Sequence, residues 1–466
     1  MRYLLGADIG TTSLKAVVFD ETGEMVRSAT REYTLLVSGD QVEFPAEEYV
    51  RLFTEAYDEV TEGLEVLAFS IDTQCETMIL ADENGQPLYN AVVWLDNRAA
   101  DQAAQIKAQF GSKCVYEITG QPEITATWPA AKLLWFRQKM PQVFYRVKKI
   151  FLLEDWLLYR LTGNFVTEKT LQSSTIYFNI KDECWWQDML QYIGIDESML
   201  PLLHNSGEKI GEYKGAAVCT SAIDQIAGAI GAGITDRSVI GETTGTTLAV
   251  FTACDEFLPY DPKSIVPCHK NFDGRYCLLS WTPTAGIALK WFRDNLCENF
   301  SFRELDDLAK DVPVGSAGLV FLPYLCGSTM PRYAPTAKGA FMGLTMEHTR
   351  AHFIRCILEA VACMLKENLD YLHCDCEEIR SMGGGASSPL WCQIKADMTG
   401  KRVAVLNNHE TACLGSAVLA GVACGIYNDV KNVCRSLVKV KKVYMPSGED
   451  YTECYRNFIE KGGKVL

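Results

Sequence analysis

Apolar and polar positions alternate along the first hundred residues in a way that predicts a sheet. Three alternating runs separated by short turns predict a three-stranded meander. A helix is predicted to begin near Pro45, because apolar side chains recur at helical spacing from Tyr49 to Val60. Further apolar runs after this helix predict more strands. The predicted strands cover residues 2–8, 14–20, 25–34, 66–71 and 78–80.

The order strand, strand, strand, helix, strand is typical of a ribonuclease-H-like half domain, and a second strand-rich start follows residue 241. A domain break is predicted near residues 232–241, where a helix ends, and it gives domains 1–236 and 237–466. Both halves begin with strands and finish with helices, which indicates a duplication. The predicted helices cover residues 100–110, 129–139, 153–160, 349–369 and 389–398, and the later strands cover 250–251, 276–281 and 319–321.

Two loops carry residues suited to binding phosphate. The first, DIGTTS at residues 8–13, joins two predicted strands, and GETTGTT at residues 241–247 has the same character. A carboxylate at a strand end can reach a divalent cation through its water shell, and glycine lets backbone N–H groups approach a polyphosphate. Because one such hairpin opens each half, we predict an α/β protein with two ribonuclease-H-like domains around a nucleotide cleft.

Composition limits the partners of the chain. Its 466 residues suit two domains of roughly 200 to 250 residues, and 48% hydrophobic with 22% charged residues excludes wholesale disorder. The formal net charge of −15 argues against nucleic acid or an anionic membrane as partner. No apolar run reaches the roughly 18 to 20 residues of a membrane span. Backbone donors and a cation can still hold an anionic nucleotide locally.

The 18 cysteines show no paired C-x-x-C spacing. The tightest cluster, Cys374 and Cys376 beside His373, lacks a second pair, so half-buried thiols are favoured over zinc. The apolar run at the N-terminus is too short for a secretory signal and meets Asp8 at once. We therefore expect a reduced cytoplasmic protein.

These loops, in this order, resemble the FGGY family of carbohydrate kinases, within the superfamily of sugar kinases, heat-shock chaperones and actin. Residues 8–20 and 241–250 look like the two phosphate motifs of the family, and the resemblance extends over nearly the whole chain. The segment SMGGGASSPLW at 381–391 looks like its adenosine motif, where glycines let the backbone lie against a flat base. The resemblance implies ATP and Mg²⁺ as cofactors, with nucleotide contacts from Asp8, Gly10, Thr11, Thr12, Gly245, Thr246, Thr247, Gly384, Gly385 and Ala386.

The candidate catalytic base is Asp224, which a short apolar strand, Ala216–Cys219, delivers to the start of a small-residue helix. A sugar hydroxyl is a poor nucleophile, so a carboxylate within hydrogen-bond reach should take its proton during transfer. In FGGY kinases the aspartate at this place is the base and the next residue, here Gln225, touches substrate. Local sequence alone favours an ordinary helix N-cap, and the resemblance favours the base. The resemblance also implies Asp8 and Asp224 as the carboxylates nearest Mg²⁺.

The acceptor pocket mixes features of two kinds of family member. Gln74, Cys75 and Glu76 stand where glycerol kinases carry Gln-Arg-Glu and xylulokinases carry Gln-Met-His. The surroundings of Trp94 resemble xylulokinases, whereas the pair Asp224-Gln225 looks like glycerol kinases. We predict that Glu76 accepts hydrogen bonds from acceptor hydroxyls and that Trp94 packs against the carbon face. The alternative without a role in binding is that Glu76 is a surface carboxylate and Trp94 a core side chain.

The resulting hypothesis is an ATP- and Mg²⁺-dependent kinase of a small sugar or polyol. A ketopentose such as D-xylulose leads, and glycerol or a tetritol is the close second because of Gln74, Glu76 and Gln225. A chaperone or actin-like ATPase would lack the acceptor strand, and a catalytically dead sugar sensor would have lost Asp8, Asp224 or a Gly-Thr-Thr loop. Family members are commonly dimers, which implies a homodimer here.

Overall fold

The computed structural model describes residues 2–262 and 266–465. Among these residues, the first half of the chain contains fifteen strands. They are β1 (Tyr3–Ile9), β2 (Ser13–Asp20), β3 (Met25–Glu32), β4 (Leu36–Ser38), β5 (Gln41–Phe44), β6 (Val66–Thr73), β7 (Met78–Ala81), β8 (Ala91–Val92), β9 (Lys149–Leu152), β10 (Val166–Glu168), β11 (Phe178–Asn179), β12 (Cys184–Trp185), β13 (Leu202–His204), β14 (Lys209–Tyr213) and β15 (Ala216–Cys219). The helices are α1 (Ala46–Thr61), α2 (Ala100–Thr119), α3 (Pro129–Lys139), α4 (Pro141–Phe144), α5 (Leu153–Thr162), α6 (Lys169–Gln172), α7 (Gln187–Ile193) and α8 (Asp224–Gly231).

The second half repeats this alternation of strands and helices. Its strands are β16 (Val239–Thr244), β17 (Leu248–Cys254), β18 (Cys268–Lys270), β19 (Tyr276–Thr282), β20 (Val320–Leu322), β21 (Ala340–Met342), β22 (Glu378–Met382), β23 (Arg402–Leu406) and β24 (Val440–Tyr444). Its helices are α9 (Gly286–Leu296), α10 (Phe302–Ala309), α11 (Arg350–Tyr371), α12 (Pro389–Thr399), α13 (Thr411–Ala423), α14 (Val430–Leu437) and α15 (Thr452–Gly462).

The central sheets of the two halves share one topology. The first has the order β14-β15-β6-β1-β2-β3, and the second has the order β18-β19-β17-β16-β22-β23-β24. In the first sheet β1 pairs antiparallel with β2 and parallel with β6. In the second sheet β16 pairs in the same way, antiparallel with β17 and parallel with β22. The six strands common to both sheets confirm the predicted pair of ribonuclease-H-like units and explain why a phosphate hairpin opens each half.

Burial on both sides of the first sheet follows from the near-continuous apolar sequence of its parallel strands. Residues of β1 and β6 are almost all buried, and α1 covers one face with an apolar stripe that includes Tyr49 and Phe53, both fully buried. Strand β7, predicted from residues 78–80, lies in a separate five-stranded sheet of order β4-β5-β8-β7-β9. Strand β3 ends at Glu32, two residues earlier than predicted, and β20 lies one residue later.

Helices α8 and α13 cross where the two halves meet, and small residues allow a very close approach. A Cβ atom on Gly231 of α8 would lie 1.8 Å from the carbonyl oxygen of Thr411, and one on Gly415 of α13 would lie 1.8 Å from that of Ala227. Only glycine fits such contacts between backbones. The crossing therefore holds the start of α8, where Asp224 lies, against the second half.

Helix α13 lies between β23 and β24 of the second sheet in the chain yet packs against β1 and β6 of the first sheet. Its Ser416 carbonyl accepts a hydrogen bond from Ser70 of β6 at 2.7 Å. The division at residues 236 and 237 therefore stays a prediction, since one helix of the second half completes the first. In the described part of the chain, no helix combines the length and apolar character that crossing a membrane requires.

Candidate active site

The first phosphate loop is a tight turn between β1 and β2. The Gly10 N–H donates to the Ser13 carbonyl at 3.0 Å, and the Tyr33 hydroxyl donates to the Gly10 carbonyl. Thr12 is exposed, and Thr11 is half-buried and accepts a hydrogen bond from the indole of Trp94. Tyr33 and Trp94 thus hold the loop by hydrogen bonds, while the side chain of Thr12 remains exposed.

Three carboxyl groups gather beside this loop. Asp8 ends β1, Asp72 lies opposite it in register on the parallel strand β6, and the charge of Asp8 acts on Asp224. Burial raises the pKa of Asp8, and burial with the neighbouring Asp8 charge raises that of Asp72 well above its ordinary value. The sequence analysis missed Asp72, because only the register of β1 and β6 places it beside Asp8.

Asp224 is the first residue of α8, at the end of a segment delivered by the buried strand β15. Its Oδ1 accepts hydrogen bonds from the Gln225 N–H at 2.7 Å and from the Cys75 thiol at 3.9 Å. Burial first, and the charge of Asp8 second, raise the pKa of Asp224 to about 7. The simple N-cap alternative does not describe this geometry, because the cap position is Ile223 and Asp224 is already helical.

Hydrogen bonds of two serines, Ser221 and Ser416, connect the segment that precedes Asp224 to residues of both halves of the chain. The Ser416 hydroxyl of α13 donates to Asp72 Oδ2 at 2.5 Å and lies 2.7 Å from the hydroxyl of Ser221. The Ser221 N–H donates to the buried carboxylate of Glu154 at 2.9 Å. Residues far apart in sequence therefore position the strand end that carries the candidate base.

The predicted acceptor residues Cys75 and Glu76 lie in the turn between β6 and β7, half-buried beside Asp224. Glu76 has a φ of 57°, a strained value for a residue with a side chain, and such strain concentrates at functional sites. Burial raises the pKa of Glu76 to about 8. The ammonium of Lys132, buried in α3, acts in the opposite direction and donates to the Val93 carbonyl at 2.9 Å.

The other three predicted acceptor residues have different surroundings. Gln74 is 3% exposed, and its side-chain amide donates to the hydroxyl of Tyr49 at 3.3 Å, so it braces the turn from the core side. Gln225 is exposed on the first turn of α8. Trp94 is half-buried, and its indole Nε1 donates to Thr11 Oγ1 at 3.0 Å. The structure therefore brings Glu76, Cys75 and Asp224 together and links Trp94 to the phosphate loop.

A cavity of about 1110 Å³ lies on the second half. The predicted nucleotide residues Gly245, Thr246, Gly384 and Gly385 line it, whereas Thr247 and Ala386 are not among its lining residues. A Cβ atom on Gly245 or Gly384 would meet open space, so the backbone of both loops faces the cavity directly. The second phosphate loop and the predicted adenosine motif thus form one site.

Two further parts of the cavity lining were not predicted from the sequence. One is the start of α9, where the N–H groups of Ala285 and Gly286 donate to the carbonyls of Thr246 and Gly245 at 3.0 and 2.8 Å. The other comprises the side chains of Arg303 and Asp306, which come from α10. An amphipathic helix gives no sequence signal for nucleotide contact, because its polar face looks like any solvated face.

Comparison with known proteins agrees with this geometry. The N-terminal domain of the FGGY family of carbohydrate kinases matches residues 3–241, and its C-terminal domain matches residues 244–424. The xylulose kinase of Lactococcus lactis subsp. lactis (strain IL1403) is 28% identical over 488 residues, spanning 98% of this chain and 95% of that protein. The glycerol kinase of Thermococcus kodakarensis is 29% identical over 484 residues, spanning 99% and 96%.

Solved structures give the same result. A ligand-bound xylulose kinase from Lactobacillus acidophilus superposes with a TM-score of 0.93 at 25% identity, covering 100% of this chain and 98% of that one. A glycerol kinase from Plasmodium falciparum with ADP shares the fold, with a TM-score of 0.92 at 23% identity over 100% and 98%. With the N-terminal and C-terminal family domains matched in order, the chain belongs to the FGGY family of carbohydrate kinases.

Proposed function

We propose that this kinase transfers the γ-phosphoryl group of ATP to a hydroxyl of a small sugar or polyol, most readily a ketopentose such as D-xylulose. The family implies ATP as the phosphoryl donor. The observation that carries the proposal is the convergence of Asp224 with Asp8 on one side and with Cys75 and Glu76 on the other. A phosphate loop and an acceptor pocket thus meet at one carboxylate.

Asp224 acts as general base in this proposal. Its carboxylate takes the proton of the acceptor hydroxyl as the oxygen attacks the γ-phosphorus and the bond to ADP breaks. A pKa raised to about 7 suits this role, because the base is then basic enough to accept a proton while about half of it is still ionised at pH 7. The hydrogen bonds from Gln225 and Cys75 hold Oδ1 in place.

The acidic cluster suits a magnesium ion held mainly through water. Carboxylate oxygens are the ligands that Mg²⁺ prefers, and Asp72 Oδ1 is buried without a hydrogen-bond partner in the described part of the chain. Within residues 2–262 and 266–465, no three acidic, histidine or cysteine side chains form a ready metal site. Asp8 and Asp224 would therefore hold the hydrated ion together with the phosphates of ATP. Bound Mg²⁺ would neutralise charge on those phosphates.

The acceptor is proposed to lie against Glu76, with Trp94 on its carbon face. Glu76 would hydrogen-bond two hydroxyls of the acceptor; burial raises its pKa to about 8, and the charge of Lys132, whose own pKa burial lowers to about 7, offsets that rise only in part. Xylulose kinases and glycerol kinases both occur among the relatives, so glycerol or a tetritol is the second candidate, favoured by the glutamate at position 76.

Two other classes of function fit less well. A sugar sensor without catalysis would not need Asp8, Asp224 and both Gly-Thr-Thr loops, all of which are present. A chaperone-like or actin-like ATPase would not need the acceptor turn at residues 74–77. A homodimer and a cytoplasmic location remain part of the proposal and follow from the resemblance to the family.

The test is ADP release by the purified protein with Mg²⁺ and ATP across ketopentoses, ketohexoses, glycerol, tetritols and gluconate. Gluconate belongs in the panel because a gluconate kinase from Lactobacillus acidophilus has a TM-score of 0.93 to this chain at 25% identity. One strong acceptor that is silent with Asp224→Asn would support the proposal and name the substrate. Silence of the whole panel, with ATP still bound, would contradict it in favour of a sensor.

A further inference from the structure

A fully buried ion pair lies beneath the nucleotide cavity. Lys395 Nζ of α12 is 2.6 Å from Glu242 Oε1 of β16, and both side chains are 0% exposed. The same ammonium donates to Thr244 Oγ1 at 2.9 Å, and Thr244 Oγ1 donates to Glu242 Oε2 at 2.7 Å. The Ser381 hydroxyl donates to Glu242 Oε1. We call these four residues the Lys395 network.

The Lys395 network connects three elements that carry the two nucleotide loops. Glu242 and Ser381 are register partners on the neighbouring parallel strands β16 and β22. Strand β16 leads into the second phosphate loop, and β22 leads into the adenosine motif. Helix α12 follows that motif, and its Trp391, which lines the cavity, has its ring centroid 5.2 Å from Lys395 Nζ.

Thr244 transmits the position of the network to the adenosine motif. A Cβ atom on Gly385 would lie 2.7 Å from Thr244 Cβ, and one on Gly383 would lie 2.9 Å from the Thr244 carbonyl oxygen. The two loops are therefore in close contact through Thr244, whose hydroxyl is held by Lys395 and Glu242. Any displacement of Thr244 changes the width of the cavity between them.

We propose that Lys395 is a positioning residue for the nucleotide: with Glu242 it fixes Thr244 and thereby the spacing between the phosphate loop and the adenosine motif. The inference rests on the proposed use of ATP. It assigns Lys395 no contact with the nucleotide. Its effect should fall on nucleotide affinity and leave the acceptor pocket, built on β6 and α8, unchanged.

Stability and positioning can be separated with a charge-neutral double variant. Removing one partner of a buried ion pair leaves an uncompensated charge and destabilises the fold, whereas replacing both partners by neutral groups of similar volume often does not. Lys395→Met alone should lower the melting temperature. Lys395→Met with Glu242→Gln should restore it, because the amide oxygen can accept from Ser381 in place of Oε1, and the amide NH2 can donate to Thr244 Oγ1 in place of Oε2. The single and the double variant both lack the Lys395 ammonium that orders Thr244.

The experiment measures the dissociation constant of Mg·ADP by calorimetry, with the melting temperature of each variant as a second readout. Both variants should bind ADP at least about tenfold more weakly than wild type, the double variant despite its restored melting temperature. Lys113→Met, on the exposed face of α2, is the matched control and should change neither quantity.

Wild-type ADP affinity in the double variant would overturn the proposal, since the pair would then serve stability alone. An equal loss of ADP and acceptor affinity would also overturn it. ADP binding is measured without acceptor, so the result does not depend on which sugar is phosphorylated. A wild-type protein that binds ADP but phosphorylates no acceptor would contradict the proposed function and leave this test intact.

Discussion

The indole Nε1 of Trp94 donates a hydrogen bond to Thr11 Oγ1 over 3.0 Å, which joins the proposed acceptor pocket to the first phosphate loop. The carbonyl of Val93, one residue earlier, accepts a hydrogen bond from the buried ammonium of Lys132 at 2.9 Å. The chain at residues 93–94 is therefore held from both sides. Acceptor and phosphate can be aligned through one rigid segment, as in-line transfer requires.

Replacing Trp94 by phenylalanine should keep the ring but remove this hydrogen bond. A net contribution of about 0.5–1.5 kcal/mol for one hydrogen bond predicts a roughly 3- to 10-fold loss of kcat/KM. Steady-state kinetics with saturating ATP measures it. Trp291→Phe, whose ring is 40% exposed on α9, is the control. An unchanged kcat/KM for Trp94→Phe would show that the bond does not contribute to alignment.

The variant Asp224→Asn should lose turnover and keep nucleotide binding. An amide cannot accept the acceptor proton, and general-base catalysis typically contributes about 10²- to 10⁴-fold. Turnover and the dissociation constant of ADP should both be measured. Asp101→Asn, at an exposed position in the first turn of α2, should behave like wild type. Near-wild-type turnover in Asp224→Asn would rule out the assignment.

Activity should fall on the acid side of neutrality. The pKa of Asp224 is raised to about 7, and only the ionised carboxylate accepts a proton. As pH falls through 7 the base becomes protonated, so kcat/KM should decrease about tenfold per pH unit below that value. A pH profile of kcat/KM between pH 5 and 9 measures the limb. A flat profile down to pH 5 would contradict the raised pKa.

Glu76→Gln should weaken acceptor binding selectively. Above its pKa of about 8 Glu76 is ionised, and a charged hydrogen-bond acceptor is worth about 1.5–3 kcal/mol, so the acceptor KM measured at pH 9 should rise roughly 10- to 100-fold while the KM for ATP stays the same. Glu83→Gln, exposed just beyond β7, provides the control. If the acceptor KM does not change, the acceptor lies elsewhere in the cleft.

The crossing of α8 and α13 predicts opposite effects for two glycines of one helix. Gly231→Ala would place Cβ 1.8 Å from the Thr411 carbonyl oxygen and should lower the free energy of unfolding by about 2–3 kcal/mol. At Gly228 the nearest atom to an added Cβ is 3.8 Å away, so Gly228→Ala should be neutral or stabilising by up to about 1 kcal/mol. Urea denaturation of both variants measures this. If the two variants changed the free energy of unfolding equally, the close contact between α8 and α13 at Gly231 would not contribute to stability.

Local pattern was enough to predict much of the architecture. Apolar alternation and turn residues identify β1, β2 and β6 and the helix after Pro45, because strand and helix periods depend on near neighbours. Glycines and threonines at strand ends mark the two phosphate loops for the same reason. The resemblance to the FGGY family, which depends on motif order, is confirmed by the matches over residues 3–241 and 244–424.

Other features required the fold. Asp72 becomes part of the acidic cluster only through the register of β1 and β6, and Ser416 reaches it from 344 positions away. Lys395 looks like an ordinary helical lysine in the sequence, yet it is fully buried against Glu242. Even the wall formed by α9 and α10 has no local signature.

The main strands and helices of each half, the two phosphate hairpins and the family could be predicted from the sequence alone. Those properties reside in contiguous residues whose spacing reflects the geometry of a single strand, turn or helix. The tertiary structure alone decided which carboxylates share a site, how α13 completes the first sheet and what braces the nucleotide loops. Strand register and helix crossing depend on contacts between distant residues, and a linear pattern does not specify the partner of a buried charge.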